Sequence, residues 1–482
     1  MAEIDLSTNI IDQWSGYLWS KPANPTCLYD YAVDYFTKVS AALHHLKGRI
    51  RIEPILGEMD EIFEKIHLDF YPDRLNKPVL GQEESGMPVS TTEDYPKIFD
   101  RVHLSNVPDY TGGTLGAFLF AAPITPVTKD FKAQFSFTCL RNPPAFKDVD
   151  EFNSEYCLLP EMSMIAKIFL CVRRPCISES MPLPAFMQMQ GLIGMGYFEW
   201  SKQAEIVPFP SLLDRPTITA WIHGLLLKTA IPKERQVPAM TLINSPFNLT
   251  VLFRVIMHLK KVGYPSHWLS EILGTIIGGT IDTKAFPQKS VPFSVKDSKQ
   301  LFDKSRPLKR FSIKPFNAEL TTLTSIWLPA LGFGLLQGND VLPDHSSIRK
   351  YSVTFNHVNW DMGFESSFIL VFIDMDIATP TGPRPIIPLR LLLLNKEDQL
   401  KNALQRPRDV REKGLHIVTT WQFETETKTG RFWMREDIMK QLMDRRNGWH
   451  ACIWRVDRWD IVGQPVKAAT GGVKDLGISW AD

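Results

Sequence analysis

One stretch constrains this chain more than any other: residues 99–113, FDRVHLSNVPDYTGG. Residues 99–104 read as a buried strand. The polar residues that follow form a loop, and Gly112 and Gly113 supply positive φ before a helix. A strand that stops at a polar loop and opens into a helix is where open α/β sheets place their ligands. The fold of the first third therefore depends on what lies beside residues 99–104, and the loop holds the first candidates for a site.

The neighbours can be laid out by period. Thr26 caps a helix over residues 28–46, whose stripe Leu28, Ala32, Tyr35, Val39, Ala42 and Leu46 has helical spacing. Gly48 ends it. Ile50, Ile52 and Ile55-Leu56 follow as a strand, with residues 57–60 (GEMD) as the turn at its carboxyl end. Residues 60–66 are helical again, and residues 75–94 form a loop. After the strand at 99–104 come a helix at 114–122 and a strand at 131–140. This alternation predicts a parallel sheet with helical crossovers.

Further on, residues 150–159 form a helix and residues 175–210 a long connection rich in proline, methionine and glycine. A helix covers 216–227. Ser245 caps the next, with Pro246 in its first turn, Leu252, Val255, Ile256 and Leu259 facing inward, and Gly263 as its stop. Lys260 and Lys261 suit the helix dipole in its last turn. A partner helix over 266–277 completes an αα-hairpin. Beyond Lys299 the pattern predicts strands at 351–355, 368–373, 386–394, 417–423, 430–434 and 451–456, with one helix at 436–445. The organisation expected is an arm at 1–27, an α/β domain at 28–170, a helical region at 171–300 and a β-rich α+β domain at 301–482.

The bulk composition limits the function classes. With 482 residues, 44% hydrophobic and 22% charged, the chain has the make-up of a globular protein of more than one domain. A formal net charge of +1 gives no global field to attract nucleic acid. No apolar run approaches the roughly 18–20 residues needed to cross a bilayer, and the start has no secretory signal. Six scattered cysteines offer no zinc spacing, so the expectation is a reduced, cytoplasmic chain without metal, nucleic acid or membrane partners.

The order helix, strand with an acidic turn, strand with SNVPDYTGG, helix, strand resembles the latter part of a class I S-adenosylmethionine-dependent methyltransferase sheet. The resemblance implies a partial Rossmann-like fold in which Glu58 or Asp60 bonds the adenine amine and Ser105 lies on the cofactor side. It also implies that Asn106, Asp109 and Tyr110 form the substrate loop, similar to the Asp-or-Asn, Pro, Pro, Tyr motif of amino-methyltransferases but spaced out by one residue. The glycine-rich loop after a first strand has no counterpart, and only 27 residues precede the first helix. The implied cofactor pocket is half built, which implies a fragment of a longer gene product, a degenerate binding module or a subunit completed by a partner.

Three segments together, FDRVHLSNVPDYTGG, CLRNPPAF with FNSEY, and NSPFNLTVLFRV with GYPSHWLSEIL, resemble a family of uncharacterised basidiomycete fungal proteins. Their domain of unknown function often accompanies a MYND zinc finger and is distantly similar to the dynein axonemal assembly factor 3 family. The MYND cysteines are absent here, so zinc is not carried over.

Each candidate has a bland reading beside the functional one. Asn106 and Asp109 favour turns by bonding their own backbone. His103 alternates with Val102 and Leu104 as a packed strand residue, and His267 opens a helix. Arg141 follows the 131–140 strand, where it faces an anion or merely ends a rigid turn. The reading placed first is a non-catalytic scaffold or assembly protein that uses the old sheet as a frame and binds an unknown protein partner. The alternative is an S-adenosylmethionine-dependent methyltransferase acting through residues 106–110. A third is an enzyme of different chemistry in the same crevice.

Overall fold

The computed structural model describes residues 28–46, 55–68, 96–128, 133–139, 146–174, 197–234, 248–289, 292–335, 342–358, 368–378, 387–457, 459–470 and 472–481. It is a mixed α/β structure of two compact units, residues 1–58 and 59–482. In the first, α1 spans Leu28–His45, close to expectation. Gly48 and most of the strand expected at 50–56 lie outside the described residues, as does the loop at 75–94.

The second unit begins with α2 (Met59–His67), β1 (Arg101–His103), α3 (Gly113–Phe120) and β2 (Gln134–Thr138). Next come α4 (Val149–Cys157), α5 (Met162–Phe169), β3 (Cys171–Arg174) and β4 (Tyr197–Lys202). The four strands form one sheet in the order β1-β2-β4-β3. Only β1 and β2 run parallel; β2–β4 and β4–β3 are antiparallel. One β–α–β unit is therefore present where an all-parallel sheet was expected. The strand taken as the organising one is an edge of three residues, and β2 sits inside the sheet. Its Phe135 and Phe137 are fully buried. Phe118 of α3, also 0% exposed, stacks on Phe169 at 4.6 Å and meets Trp200 edge-on at 4.7 Å. Each such ring contributes about 1.5–3 kcal/mol by leaving water.

The helical part comprises α6 (Arg215–Ala230), α7 (Thr250–Val262) and α8 (Ser266–Ile277). Asp214 caps α6 by accepting from the Thr217 N–H at 3.0 Å. Ser245 and Pro246 lie outside the described residues; at the start of α7 the Asn248 side chain accepts from the Thr250 N–H at 3.0 Å. Gly263, at φ +114°, ends α7, and the αα-hairpin with α8 forms as read.

Then follow β5 (Thr280–Thr283), α9 (Val295–Phe302), β6 (Lys309–Ser312) and α10 (Asn317–Leu331), none of them anticipated. The remaining elements are β7 (Ile348–Thr354), β8 (Phe368–Asp374), α11 (Leu389–Leu393), α12 (Pro407–Lys413), β9 (Leu415–Val418), β10 (Gln422–Glu424), β11 (Thr429–Arg435), α13 (Glu436–Met443), β12 (Trp449–Arg455), β13 (Val466–Lys467) and β14 (Val473–Ser479). Within the stretch 386–394, expected as a strand, α11 forms instead: its leucines lack strand alternation and are good helix formers.

Two four-stranded antiparallel sheets, β10-β11-β7-β14 and β13-β12-β8-β9, share one apolar cluster. Strand β8 faces two ways. Leu370 and Phe372 enter that cluster, while Ile369, Val371 and Ile373 join the larger core that reaches through the helices to α2. Burial on both faces is why FILVFID is a continuous apolar run.

Candidate functional site

The expected loop is built by continuing the β1–β2 ladder. The Leu104 N–H donates to the Ser136 carbonyl at 2.9 Å, and the Thr138 N–H donates to the Ser105 carbonyl at 2.7 Å. Ser105 then turns the chain at φ +51°, in the left-handed region that non-glycine residues seldom occupy. Residues 107–109 form one 3-10 turn, closed by the Tyr110 N–H on the Val107 carbonyl at 2.9 Å. Gly112 and Gly113 carry φ of +91° and +62°. A Cβ on Gly113 would meet the Tyr156 ring at 2.4 Å, so glycine is required there for both space and backbone.

Ser105, Asn106, Asp109 and Tyr110 thus share one turn with different surroundings. Ser105 is exposed, Asn106 half-buried, and Tyr110 46% exposed. Asp109 is 0% exposed, and its carboxylate is hydrogen-bonded by the Cys139 thiol. Burial, then the Asp109 charge and that bond, push the Cys139 thiol far above its ordinary range. His103 stands on the exposed side of β1 rather than packed, with Nδ1 3.0 Å from the Ser136 hydroxyl.

Asp60 lies in the first turn of α2, where Oδ1 accepts from the Glu61 N–H at 2.9 Å and complements the helix dipole. Glu58 is exposed and belongs to the first unit. Of the acids expected in the second unit's site, Asp60 gives an oxygen to the chain's own backbone, and Asp109 is turned inward against Cys139. Arg141 and Asn142 lie outside the described residues, and His267 is exposed. Among the described residues no group of three or more His, Cys, Asp or Glu is placed to hold a metal, and no helix is long and apolar enough to cross a membrane.

A pocket of about 100 Å³ opens elsewhere, where α2, α3, α5, α7 and the end of β4 meet. None of the six expected residues lines it. Its apolar walls include Phe63, Phe120, Phe169 and Met257. Its polar lining is basic: Lys202, Arg254, Lys261, His67 and His258, against Glu64 and Glu205. Arg254 grips Glu64 with Nε to Oε1 at 2.6 Å and Nη2 to Oε2 at 2.9 Å. Buried Lys202 donates to Glu205 at 2.8 Å. Lys261, exposed at the rim, makes no hydrogen bond or ion pair among the described residues.

The basic groups feel one another. Burial, and then Lys261 and Lys202, lower His67 to about 4. Burial also brings His258 to about 4 against the bond from its Nε2 to the Ile168 carbonyl at 2.9 Å. Burial and Lys202 lower Lys261. At neutral pH both imidazoles are uncharged, and the three cations face two carboxylates, each already engaged.

Sequence reasoning missed this pocket because it followed only the apolar stripe of α7. A second stripe was there to read: Arg254, His258 and Lys261 fall at i, i+4 and i+7, one helical face. Comparison with family models, with curated proteins and with solved structures finds no match for this chain.

Proposed function

We propose that this chain is a non-catalytic scaffold or assembly protein, built on a degenerate methyltransferase-like frame and acting in the cytoplasm through a protein partner. One observation carries the reading: Asp109, in the loop that would face a substrate, is fully buried and bonded to Cys139. A loop whose acid is turned into the fold, against Cys139, serves as architecture. A reducing compartment suits the four described cysteines, Cys139, Cys157, Cys171 and Cys452, which are buried and unbridged.

The methyltransferase alternative rests on Tyr110, 46% exposed on the same turn as half-buried Asn106, where a ring is available to stack. Calorimetric titration of the full chain with S-adenosylmethionine and S-adenosylhomocysteine separates the two. The scaffold reading expects no binding by a folded sample, and expects Asn106→Ala and Asp60→Ala to leave folding intact. Micromolar binding that both substitutions abolish would replace it with the methyltransferase reading.

A further inference from the structure

We infer that the pocket lined by α7 binds a small organic oxyanion, a carboxylate or phosphate monoester on an apolar body. Lys261 and Lys202 meet the charged end, and Phe63, Phe120 and Phe169 flank the body. The inference goes beyond the scaffold reading and does not depend on it.

Three features of the pocket lead there. The first is charge balance. Glu64 is held in a two-point grip by Arg254, and Glu205 is taken by Lys202. Lys261 makes no ion pair among the described residues: Glu205, which attracts it, is held by Lys202, and Lys202 opposes it. Like charges set together at a partly dry wall cost folding energy unless an opposite charge arrives. An anion supplies it, and the low-dielectric surroundings strengthen the attraction.

The second is donor supply. The His258 Nε2 is committed to the Ile168 carbonyl, which fixes the neutral tautomer and leaves Nδ1 as an acceptor. His67 makes no hydrogen bond among the described residues. Each imidazole takes a proton more readily once an anion lies beside it, and each then donates to that anion. The third is shape. About 100 Å³ holds several water-sized groups, and three aromatic rings favour an occupant with an apolar side over a hydrated inorganic ion.

The probes are phenyl phosphate and benzoate as the two kinds of oxyanion, with phenol as the neutral isostere and inorganic phosphate as the bodiless anion. Calorimetry on the full chain should show one of the two aromatic anions binding more tightly than phenol and inorganic phosphate; which one binds names the headgroup. Lys261→Gln, at an exposed rim position that folding does not need, should weaken binding about tenfold, the worth of one charged hydrogen bond. Lys401→Gln, on an exposed residue that does not line the pocket, should leave it unchanged. In NMR spectra of histidine-labelled protein, the His67 and His258 imidazole resonances should move on titration. No heat with either anion in the millimolar range would overturn the inference. So would binding undiminished in Lys261→Gln, or binding that leaves both imidazoles unmoved.

Discussion

Glu155 and the pocket lined by α7 both take charged groups out of water, and they balance that charge in opposite ways. Glu155 is 1% exposed on α4, and its Oε1 lies 2.6 Å from Lys228 Nζ of α6. Its Oε2 accepts from Gln288 Nε2 at 2.7 Å and from the Phe293 N–H. Burial alone would raise this carboxyl, but Lys228 and Lys233 outweigh it and hold it below its ordinary value. Opposite charges and donors are supplied from within, and the result ties α4 and α6 to Gln288 and Phe293. In the α7 pocket the burial is only partial, three cations face two carboxylates, and Lys261 is left without an ion pair among the described residues. Charge complemented by the chain itself is architecture. Charge the chain leaves uncompensated is an opening for something else.

The largest effect should come from breaking the satisfied centre. Lys228→Met leaves Glu155 buried without its ion-pair partner and should cost about 3–5 kcal/mol in urea unfolding. Adding Glu155→Gln should recover part of that loss. A cost below about 1 kcal/mol would put the pair on the footing of a surface ion pair and remove the contrast.

Acid titration sharpens the other side. His67 and His258 take up a proton near 6.5 when unfolded but only near 4 when folded. Between those values the unfolded chain binds more protons, so stability should fall as pH drops from 6.5 to 4. The groups facing them are Lys202 and Lys261, with Glu64 and Glu205 opposing at His67. Buried His223 and half-buried His416 are lowered to about 4 as well and add to the slope. Glu319 runs the other way, because burial raises it to about 6 and its stabilisation is lost as pH rises from about 4.5 to 6. The double variant His67→Gln, His258→Gln isolates the pocket's share: its loss between pH 6.5 and 4 should be smaller than that of the unmodified chain. Equal slopes would mean that the pocket imidazoles titrate normally.

The smallest effect should be Lys261→Gln without ligand. Removing a rim charge that faces like charges should change unfolding by no more than about 0.5 kcal/mol, toward greater stability. A clear loss would mean that Lys261 has a structural partner, and the pocket would then be as self-satisfied as Glu155.

Much of the local structure was legible beforehand. Helix α8 was read at Ser266–Ile277, residue for residue, and Gly263 stops α7 as its position implied. The glycine pair at 112–113 takes the positive φ assigned to it. Strand β4 was missed because its aromatic residues sit inside the stretch read as a proline-, methionine- and glycine-rich connection, and with it went the antiparallel half of the first sheet. The turn's location was legible too, but not that Asp109 faces Cys139, since that depends on how β1 and β2 pair.

By itself, then, the sequence determined where α8 begins and ends, where glycine must turn the chain, and which face of α7 is apolar. These follow from backbone sterics and from the helical period, which act over a few residues. The tertiary structure alone decided that β1 is an edge, that β8 is covered on both faces, and that Arg254 reaches Glu64 across 190 positions to build the basic pocket. Periodicity shows that a face will be covered, but the covering element comes from distant chain and is chosen by packing.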